Sequence, residues 1–273
     1  MAGVWITGAS SGLGMYTARE VRRKGYTVIS GARSFEGNEG ESEEGWRLPL
    51  DVADENSVRQ FCAKARSISG EPDVLICCAG ILILGSCEGY SPAELEQVMK
   101  TDFYGQVNMI RQVLPGMRER KSGKIICFSS VNGVLSTPFE GAYSAAKHAL
   151  EGFCEALRME VSPWNIQVML VEPGDHRGGS ARYRAVSVGC REGDPYRASL
   201  DRVHRVIDRD ESGGSDPEKL GRIVAGMLGR KRLPMRRCIA MPSQHLALCL
   251  HDLLPGDWFY RFLSAYYHVK NGN

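Results

Sequence analysis

The sequence lacks several features that would assign a protein to a function class at once. Lys and Arg number 34 and Asp and Glu number 32, so the net charge is only +2, whereas nucleic-acid binding calls for a large basic excess on one face. No apolar run is long enough to span a bilayer. The first residues lack the basic start and long apolar stretch of a signal peptide. We therefore expect a cytoplasmic protein with no nucleic-acid partner and no transmembrane segment.

The nine cysteines form no Cys-x-x-Cys pair, so the sequence predicts neither a zinc ribbon nor a thioredoxin-type site, and no ligand cluster for a metal. Several of them lie in apolar runs: Cys77, Cys78, Cys127 and Cys249. We predict that these are small buried apolar side chains in a reducing compartment.

Short apolar runs alternate with longer helical patterns along the chain. Pro49 makes the third run the least secure strand, because proline disfavours a central position in a sheet. The alternation predicts an α/β fold with a doubly wound parallel sheet in a single domain, residues 1–273. The runs are continuous rather than alternating, which indicates buried parallel strands at 4–6, 28–29, 48–50, 74–76, 125–128 and 168–171.

Helix starts are marked at two places. Ser91-Pro92-Ala93-Glu94 is a capping box with proline at the first helical position, and Asp216 precedes a second such proline.

Two segments interrupt the alternation of strands and helices, and a third follows at the C-terminal end. Residues 34–45 are polar and glycine-rich and predict an exposed loop. Residues 175–215 are polar, arginine-rich and irregular, which is typical of a substrate or lid loop. Residues 244–270 predict an aromatic helical segment that covers the pocket, packs on a partner subunit or rests on a membrane; packing is favoured.

A glycine-rich loop joins the first strand to a helix. Gly8 permits a tight turn, Gly12 lets the backbone approach a pyrophosphate, and Gly14 lets helix and strand pack closely. The helix N-terminus offers unpaired N–H groups and partial positive charge to phosphates. A turn without a ligand is the alternative. The predicted phosphate site comprises Gly8, Ser10, Ser11, Gly12, Leu13 and Gly14.

The end of the second strand bears on the choice of nucleotide. An NAD enzyme carries an acid here for the ribose 2′-hydroxyl, but this chain has Ala32 followed by Arg33. A guanidinium can hold a 2′-phosphate in a bidentate fork. The sequence therefore favours NADP(H), with a solvated loop charge as the alternative reading of Arg33.

Tyr143 and Lys147 are four residues apart, which places them on the same face of a helix. A tyrosine has a pKa of about 10, and a nearby ammonium lowers that pKa because it favours the phenolate. The pair could exchange a proton with a carbonyl or alcohol oxygen. Alone, it is also typical of an ordinary amphipathic helix.

The glycine spacing at 8, 12 and 14 together with Tyr-x-x-x-Lys resembles the short-chain dehydrogenase/reductase family over residues 2–174, which implies a Rossmann fold. Residues 133–139 (GVLSTPF) and 149–157 (ALEGFCEAL) are similar to its 17β-hydroxysteroid and retinol dehydrogenase branch. The family assembles as homodimers or homotetramers, so a homo-oligomer is expected.

The resemblance implies further roles. Hydride passes from NADPH to a ketone or aldehyde carbon, while Ser130 and Tyr143 hydrogen-bond the carbonyl oxygen and Tyr143 donates the proton. Lys147 lowers the tyrosine pKa and binds the nicotinamide ribose. The remaining cofactor contacts implied by the family are Asp51 and Val52 at adenine, Ala79 and Gly80 at the adenosine ribose, and Pro173 and Gly174 beside nicotinamide.

Four positions depart from the family pattern. Asp102 replaces an asparagine of the catalytic tetrad, and its role is either catalytic or that of a helix N-cap. Cys77 and Cys78 replace two asparagines. Gly178 replaces a threonine that binds nicotinamide, so the hold on that ring is weakened or the loop orders on binding. Nearby, His176 is either a substrate contact or structural.

Apolar residues at 82–84, 134, 135, 138 and 139 suit a hydrophobic, steroid- or retinoid-like ketone, unless they are simply core. The principal alternative function is a cofactor-binding sensor or scaffold without catalysis, since fold does not prove activity. Nucleotide-sugar epimerases or dehydratases are a second alternative, but they carry longer chains and a different glycine loop.

Overall fold

A parallel sheet forms the centre of the computed structural model, which describes residues 2–178, 180 and 183–269. Its strands follow most of the apolar runs of the sequence. In chain order the strands, including two outside the main sheet, are β1 Gly3–Thr7, β2 Thr27–Ala32, β3 Gly40–Ser42, β4 Gly45–Pro49, β5 Val74–Cys77, β6 Leu82–Leu84, β7 Gly123–Phe128, β8 Ile166–Pro173, β9 Arg184–Val186 and β10 Arg236–Ile239.

Helices connect most of these strands. A π-helical turn, Lys100–Tyr104, lies between the third and fourth of them. The helices are α1 Gly12–Arg23, α2 Glu55–Ser69, α3 Pro92–Met99, α4 Gly105–Glu119, α5 Gly141–Val161, α6 Arg197–Ser212, α7 Pro217–Leu228, α8 Pro242–Leu253 and α9 Gly256–Tyr266.

The main sheet has the order β10-β8-β7-β5-β1-β2-β4-β3. All its neighbours are parallel except β3, which pairs antiparallel with β4, while β6 and β9 form a separate two-stranded ladder. From β1 the chain first builds outward through β2 and β4, then returns to the other side of β1 with β5. Ligands bind at such a reversal, beyond the carboxyl ends of the strands.

Helices cover both faces of the sheet, which explains why the strands are continuously apolar. On β1, Trp5 points to the face covered by α2, α4 and α5, and its ring meets that of Phe61 edge-on, with centroids 5.9 Å apart. Val4 and Ile6 point to the opposite face, which α1 and α7 cover. The doubly wound, single-domain α/β fold is therefore confirmed.

All six predicted strands are present, and Pro49 is tolerated because it is the last residue of β4. The prediction that 34–45 is entirely an exposed loop is wrong. A single 3-10 turn, Arg33–Phe35, leads to β3, which adds to the sheet edge as a hairpin with β4. Gly45, with φ +110, permits the hairpin turn, since its conformation is one that L side chains rarely adopt.

The prediction that 175–215 is irregular is also wrong, because it contains the sixteen-residue α6 as well as β9. Leu200, Val203 and Ile207 form a buried stripe at helical spacing. Charged residues on the other faces of α6 concealed this narrow stripe in the composition.

The cysteine prediction holds for Cys77 and Cys127, which are buried. Cys78 is only half-buried, and the prediction is wrong for Cys249, which is exposed on α8. Only one side of that apolar run packs inward. The predicted C-terminal segment forms α8 and α9. None of the helices within the described residues is long and apolar enough to cross a membrane.

The capping box that opens α3 provides a test of local stability. The Ser91 hydroxyl accepts the N–H of Glu94 at 3.2 Å, and the Glu94 carboxylate accepts the N–H of Ser91 at 2.8 Å. We expect Ser91→Ala to lower the free energy of unfolding by about 1 kcal/mol. Urea unfolding measures this, and Ser67→Ala, at an exposed serine inside α2, should stay within about 0.5 kcal/mol of the parent. Equal losses in both variants would contradict the role of the cap.

Candidate active site

A cavity of about 610 Å³ lies beyond the carboxyl ends of the central strands. Every predicted site residue except Asp102 lines it, so the structure brings together positions spread over 168 residues of sequence. The lining includes Gly8, Ser10, Ser11, Gly12, Leu13, Gly14, Arg33, Asp51, Val52, Ala79, Gly80, Ser130, Tyr143, Lys147, Pro173, Gly174 and His176.

The loop after β1 is shaped by its three glycines. Gly8 has φ +68, and a Cβ there would lie 2.6 Å from Cα of Ala79. A Cβ on Gly14 would collide with the carbonyl oxygen of Gly8. Gly12 has φ +53 and open space where a Cβ would point. The first two glycines are therefore required by packing, while Gly12 leaves free room at the start of α1.

The N-terminus of α1 has the character of an anion site. Its N-cap residue, Ser11, makes no side-chain capping hydrogen bond, so the first N–H groups of the helix are not capped by it. Such a terminus attracts phosphates through these groups and the helix dipole. The space beside Gly12 and this terminus together fit a dinucleotide pyrophosphate.

Thr7, the residue before the glycine loop, ties the two central loops together. Its Oγ1 accepts the backbone N–H groups of Cys78 and Ala79 at 3.1 and 3.2 Å. The only sequence signal was its place as the last residue of β1, next to Gly8.

Arg33 and Asp51 line the cavity at the end nearest the glycine loop, where they follow β2 and β4. Arg33 is exposed and follows Ala32 directly. The Asp51 carboxylate accepts the N–H of Ala53 at 2.9 Å, while its own N–H is bound by Ser57. The end of the cavity nearest the glycine loop thus carries a guanidinium and a carboxylate held in place by its own turn.

Ser130 and Tyr143 meet at the opposite end. Ser130 follows β7 and caps a 3-10 turn, its Oγ accepting the N–H of Asn132 at 3.1 Å. Tyr143 is in the first turn of α5, and Lys147 is one turn later. The Lys147 ammonium lies 5.3 Å from the centre of the Tyr143 ring and donates to the carbonyl of Phe128 at 3.0 Å.

Asp102 lies behind this wall, wholly buried in the π-helical turn. Its carboxylate oxygens accept the N–H of Ile81 at 2.8 and 3.0 Å. The helix N-cap reading of Asp102 is therefore wrong, because its carboxylate bonds to the loop after β5 rather than to its own helix. The position of the Asp102 carboxylate also explains the glycine at position 80, because a Cβ there would lie 2.8 Å from Oδ1 of Asp102.

The expected lowering of the tyrosine pKa is not found. The pKa of Tyr143 is raised well above its usual value by burial and by the Asp102 carboxylate, and the Ser130 hydroxyl opposes the rise. Burial likewise raises the pKa of Asp102 to about 6, with Lys147 acting against it. The charge of Asp102, at the place where the family resemblance implies a neutral asparagine, thus adds to the effect of burial on the tyrosine.

The other departures differ in consequence. Cys78 lines the cavity, but burial raises its pKa to about 12, so it remains a neutral thiol. Cys77 is core. Gly178 is exposed and does not line the cavity, so this position does not supply the nicotinamide contact expected of the family's threonine. His176 does line the cavity; it is only 2% exposed, with Nδ1 bonded to the Gly174 carbonyl at 2.8 Å.

The apolar wall differs from the predicted one. Leu82 and Leu135 line the cavity, but Ile83, Leu84 and Phe139 pack into satellite cores instead. Neither Val134 nor Pro138 is in the lining. The two C-terminal helices add five apolar side chains to the lining: Leu246, Ala247, Leu250, Phe262 and Leu263. The sequence analysis gave covering the pocket as one of three alternatives for residues 244–270 but favoured packing, because nothing local indicates where α8 and α9 fold back.

Sequence reasoning also missed four carboxylates of the cavity lining: Glu140, Asp175, Asp210 and Glu211. Glu140 was the one charge in an otherwise uncharged stretch from 129 to 146, which was a usable signal. The others lie in the segment read as irregular.

These features define an α/β oxidoreductase fold with a glycine loop and a Ser-Tyr-Lys group in one cavity. A sequence model of the family described as short chain dehydrogenase matches residues 3–183. The chain belongs to this family.

Within it, the chain is 37% identical to a 3-ketodihydrosphingosine reductase of Bacteroides thetaiotaomicron, covering 98% of both chains. It is 32% identical to retinol dehydrogenase 8 of Bos taurus, over 86% of this chain and 80% of that one. A short-chain dehydrogenase structure from Streptomyces avermitilis aligns with a TM-score of 0.83 at 30% identity, covering 98% of each chain. The retinol and steroid-like neighbourhood expected from the sequence is confirmed.

The buried charge of Asp102 predicts a pH-dependent stability. Its pKa, about 6 when folded against 3.8 ordinarily, means that the folded state holds the proton more tightly. The stabilising contribution is complete below the ordinary pKa and is lost as the pH rises through the folded one. Relative to Asp102→Asn, the parent should therefore lose on the order of 2 kcal/mol of unfolding free energy between about pH 4 and pH 7.5.

Urea unfolding at several pH values measures this difference. Asp54→Asn, at the exposed N-cap of α2, serves as the matched control, and the parent should not lose unfolding free energy relative to this variant as the pH rises, because this carboxylate is not buried. A pH-independent gap between the parent and Asp102→Asn would show that Asp102 is ionised as readily in the folded chain as in the unfolded one.

Proposed function

We propose that the protein is an NADP(H)-dependent oxidoreductase that interconverts a hydrophobic ketone and its secondary alcohol. The single observation that carries this proposal is the continuous cavity that joins the glycine loop before α1 to Ser130, Tyr143 and Lys147. A nucleotide held at the loop would extend toward the tyrosine, where a carbonyl oxygen has two hydroxyl donors.

The roles of the chain's own residues follow from their positions. When bound, NADPH supplies a hydride to the carbonyl carbon. Ser130 and Tyr143 hydrogen-bond the carbonyl oxygen, and Tyr143 gives it a proton; the reverse direction oxidises an alcohol. The raised pKa of Tyr143 keeps the phenol protonated near neutrality, which suits a general acid in reduction.

Lys147 and Asp102 are the supporting pair in this proposal. Lys147, buried and fixed on the Phe128 carbonyl, holds positive charge next to Tyr143 and binds the nicotinamide ribose. Asp102 takes the place of the family asparagine, anchors the loop after β5 and adds to the rise in the tyrosine pKa that burial causes.

The choice of NADP(H) rests on Arg33. It lines the cavity next to Ser34 at the end of β2, and no carboxylate occupies position 32. A guanidinium there attracts a 2′-phosphate, and a carboxylate would have repelled it.

The substrate class rests on the wall formed by α8 and α9. Its leucines and phenylalanine suit a lipid-like ketone, and the steroid- or retinoid-like class expected from the sequence is one form of it. The names of the two relatives, a reductase of a 3-keto compound and a retinol dehydrogenase, support this class.

Loss of NADPH absorbance with a panel of long-chain, steroid, retinoid and small aromatic ketones tests the activity. We expect turnover by the parent and a kcat at least about a hundredfold lower in Tyr143→Phe, which removes the proton donor. Tyr26→Phe, outside the cavity lining, is the matched control. Tight NADPH binding without turnover of any ketone would instead indicate the sensor or scaffold alternative.

Nucleotide preference is tested separately. We expect Arg33→Ala to raise the KM for NADPH about ten- to a hundredfold, because one charge-assisted contact to the 2′-phosphate is lost. The KM for NADH should change much less, and Lys24→Ala, an exposed cation after α1, should alter neither. A parent that turns over NADH better than NADPH would overturn the reading of Arg33.

We further propose a cytoplasmic homo-oligomer, dimer or tetramer, assembled through α4 and α5 as the family resemblance implies. The exposed side chain of Met159 on α5 gives that helix an apolar outer contact. Light scattering should give the parent a molar mass two or four times that of the chain, and this mass should fall in Met159→Glu. A monomeric parent would contradict the assembly.

A further inference from the structure

Glu140 is a buried carboxylate that has no part in the chemistry proposed for Ser130 and Tyr143. It lines the cavity and is only 7% exposed. Burial raises the pKa of its carboxyl, and hydrogen bonds from Thr137 and Asn132 oppose that rise. Burying a carboxylate costs free energy unless its oxygens are hydrogen-bonded. A charged side chain in this wall therefore calls for a physical reason, and its hydrogen bonds supply one.

The hydrogen bonds of Glu140 join two separate segments of the chain. The Asn132 amide and the Thr137 hydroxyl both donate to its Oε2, and the same amide donates to Oγ1 of Thr137 at 3.0 Å. These three buried side chains form a closed triangle, which we call the Glu140 triangle. Asn132 belongs to the 3-10 turn Val131–Gly133, whereas Glu140 is the N-cap residue of α5. The triangle therefore fixes this turn against the start of the helix.

The turn side of the triangle carries the Ser130 hydroxyl. Ser130 is the N-cap residue of the turn, and its Oγ accepts the backbone N–H of Asn132 at 3.1 Å. A hydroxyl has one proton to donate and two lone pairs that accept. Because the turn occupies a lone pair of Ser130, the proton of this hydroxyl stays available to a carbonyl oxygen in the cavity. The position of the turn thus sets the position of this donor.

The helix side of the triangle carries Tyr143, three residues after Glu140. Phe139, directly before Glu140, has φ +65, which is uncommon for a residue with a side chain. The Phe139 carbonyl accepts the N–H of Gly85 at 2.9 Å and the hydroxyl of Tyr90 at 3.1 Å. A backbone held in such a conformation by its surroundings is characteristic of functional sites. Here it delivers the carboxylate to the turn and leads directly into the helix of the tyrosine.

We propose that Glu140 is a positioning residue for the reduction: through Asn132 it holds the Ser130 hydroxyl where it and Tyr143 reach the same carbonyl oxygen. This proposal deepens the proposed reductase function and rests on it. Two donors must meet one oxygen at the same time, and a small error in the position of one of them costs a large part of the rate. In this role Glu140 exchanges no proton with the ketone.

Steady-state kinetics of Glu140→Ala tests the role, with the panel ketone that the parent reduces fastest. We expect kcat to fall about ten- to a hundredfold, because the turn that carries Ser130 is no longer fixed. The KM values for the ketone and for NADPH should stay within about threefold of the parent, because the lost alignment acts on the transition state. Glu140→Gln should recover most of the lost kcat, since one amide oxygen can accept both hydrogen bonds.

Two further variants separate positioning from a structural role. Ser91→Ala, which removes the cap of α3, is the matched control for lowered stability, and its kcat should equal that of the parent. Asn132→Ala breaks the same triangle and keeps the carboxylate, so its kcat should fall about as far as that of Glu140→Ala. If Glu140→Ala does not fold, the comparison of Asn132→Ala with Glu140→Gln decides the question. A kcat in Glu140→Gln as low as in the variant that breaks the triangle would overturn the proposal.

A double-mutant cycle asks whether Glu140 acts through Ser130. In the Ser130→Ala background, Glu140→Ala should lower kcat less than about threefold, because residues that act as a unit are not additive. Losses that multiply would show that Glu140 acts independently of Ser130, and would overturn the proposal. An active parent with unchanged kcat in both triangle variants would overturn this role and leave the reductase intact. A parent that turns over no ketone would reject the reductase and this role together.

Discussion

The close contact between the loops after β1 and β5 is the constraint on which the rest of the site depends. Strand order reverses between these neighbours, and such a reversal leaves a cleft beyond the carboxyl ends of the strands. Thr7 holds the two loops together through the N–H groups of Cys78 and Ala79, and Gly8 permits the approach. The continuation of the second loop then reaches Asp102 through the N–H of Ile81, so the glycine loop and the wall that carries Tyr143 share one support.

Electrostatics divide the cavity into zones with different tasks. Arg33 gives the nucleotide end a cation, Lys147 places another beside Tyr143, and carboxylates dominate beyond it. Asp102 puts a buried charge at a place where the family resemblance implies a neutral amide, and after burial it adds to the rise in the pKa of Tyr143. The chain therefore combines the family's fold with a buried carboxylate behind the tyrosine.

Several features of the fold and the site could be predicted from the sequence because they depend on local chemistry. The glycine spacing, the buried strands, the capping box at Ser91 and the Tyr143/Lys147 pair each follow from a short pattern. Features that depend on tertiary placement could not be predicted in this way. The buried stripe of α6 that includes Leu200 was hidden among charged residues. The apolar side chains of α8 and α9 reach the cavity from helices far along the chain. The pKa of Tyr143 depends on burial and on Asp102, neither of which a spacing of four residues reveals.

Transfer of deuterium from NADPH labelled at the nicotinamide C4 tests the central claim most directly. The protein would be incubated with each of the two C4 epimers and a long-chain ketone, and the alcohol analysed by mass spectrometry. The account predicts one deuterium on the carbinol carbon from one epimer only, because a single cavity fixes nucleotide and ketone relative to each other. Alcohol without deuterium from either epimer, or unchanged ketone beside tightly bound nucleotide, would contradict it.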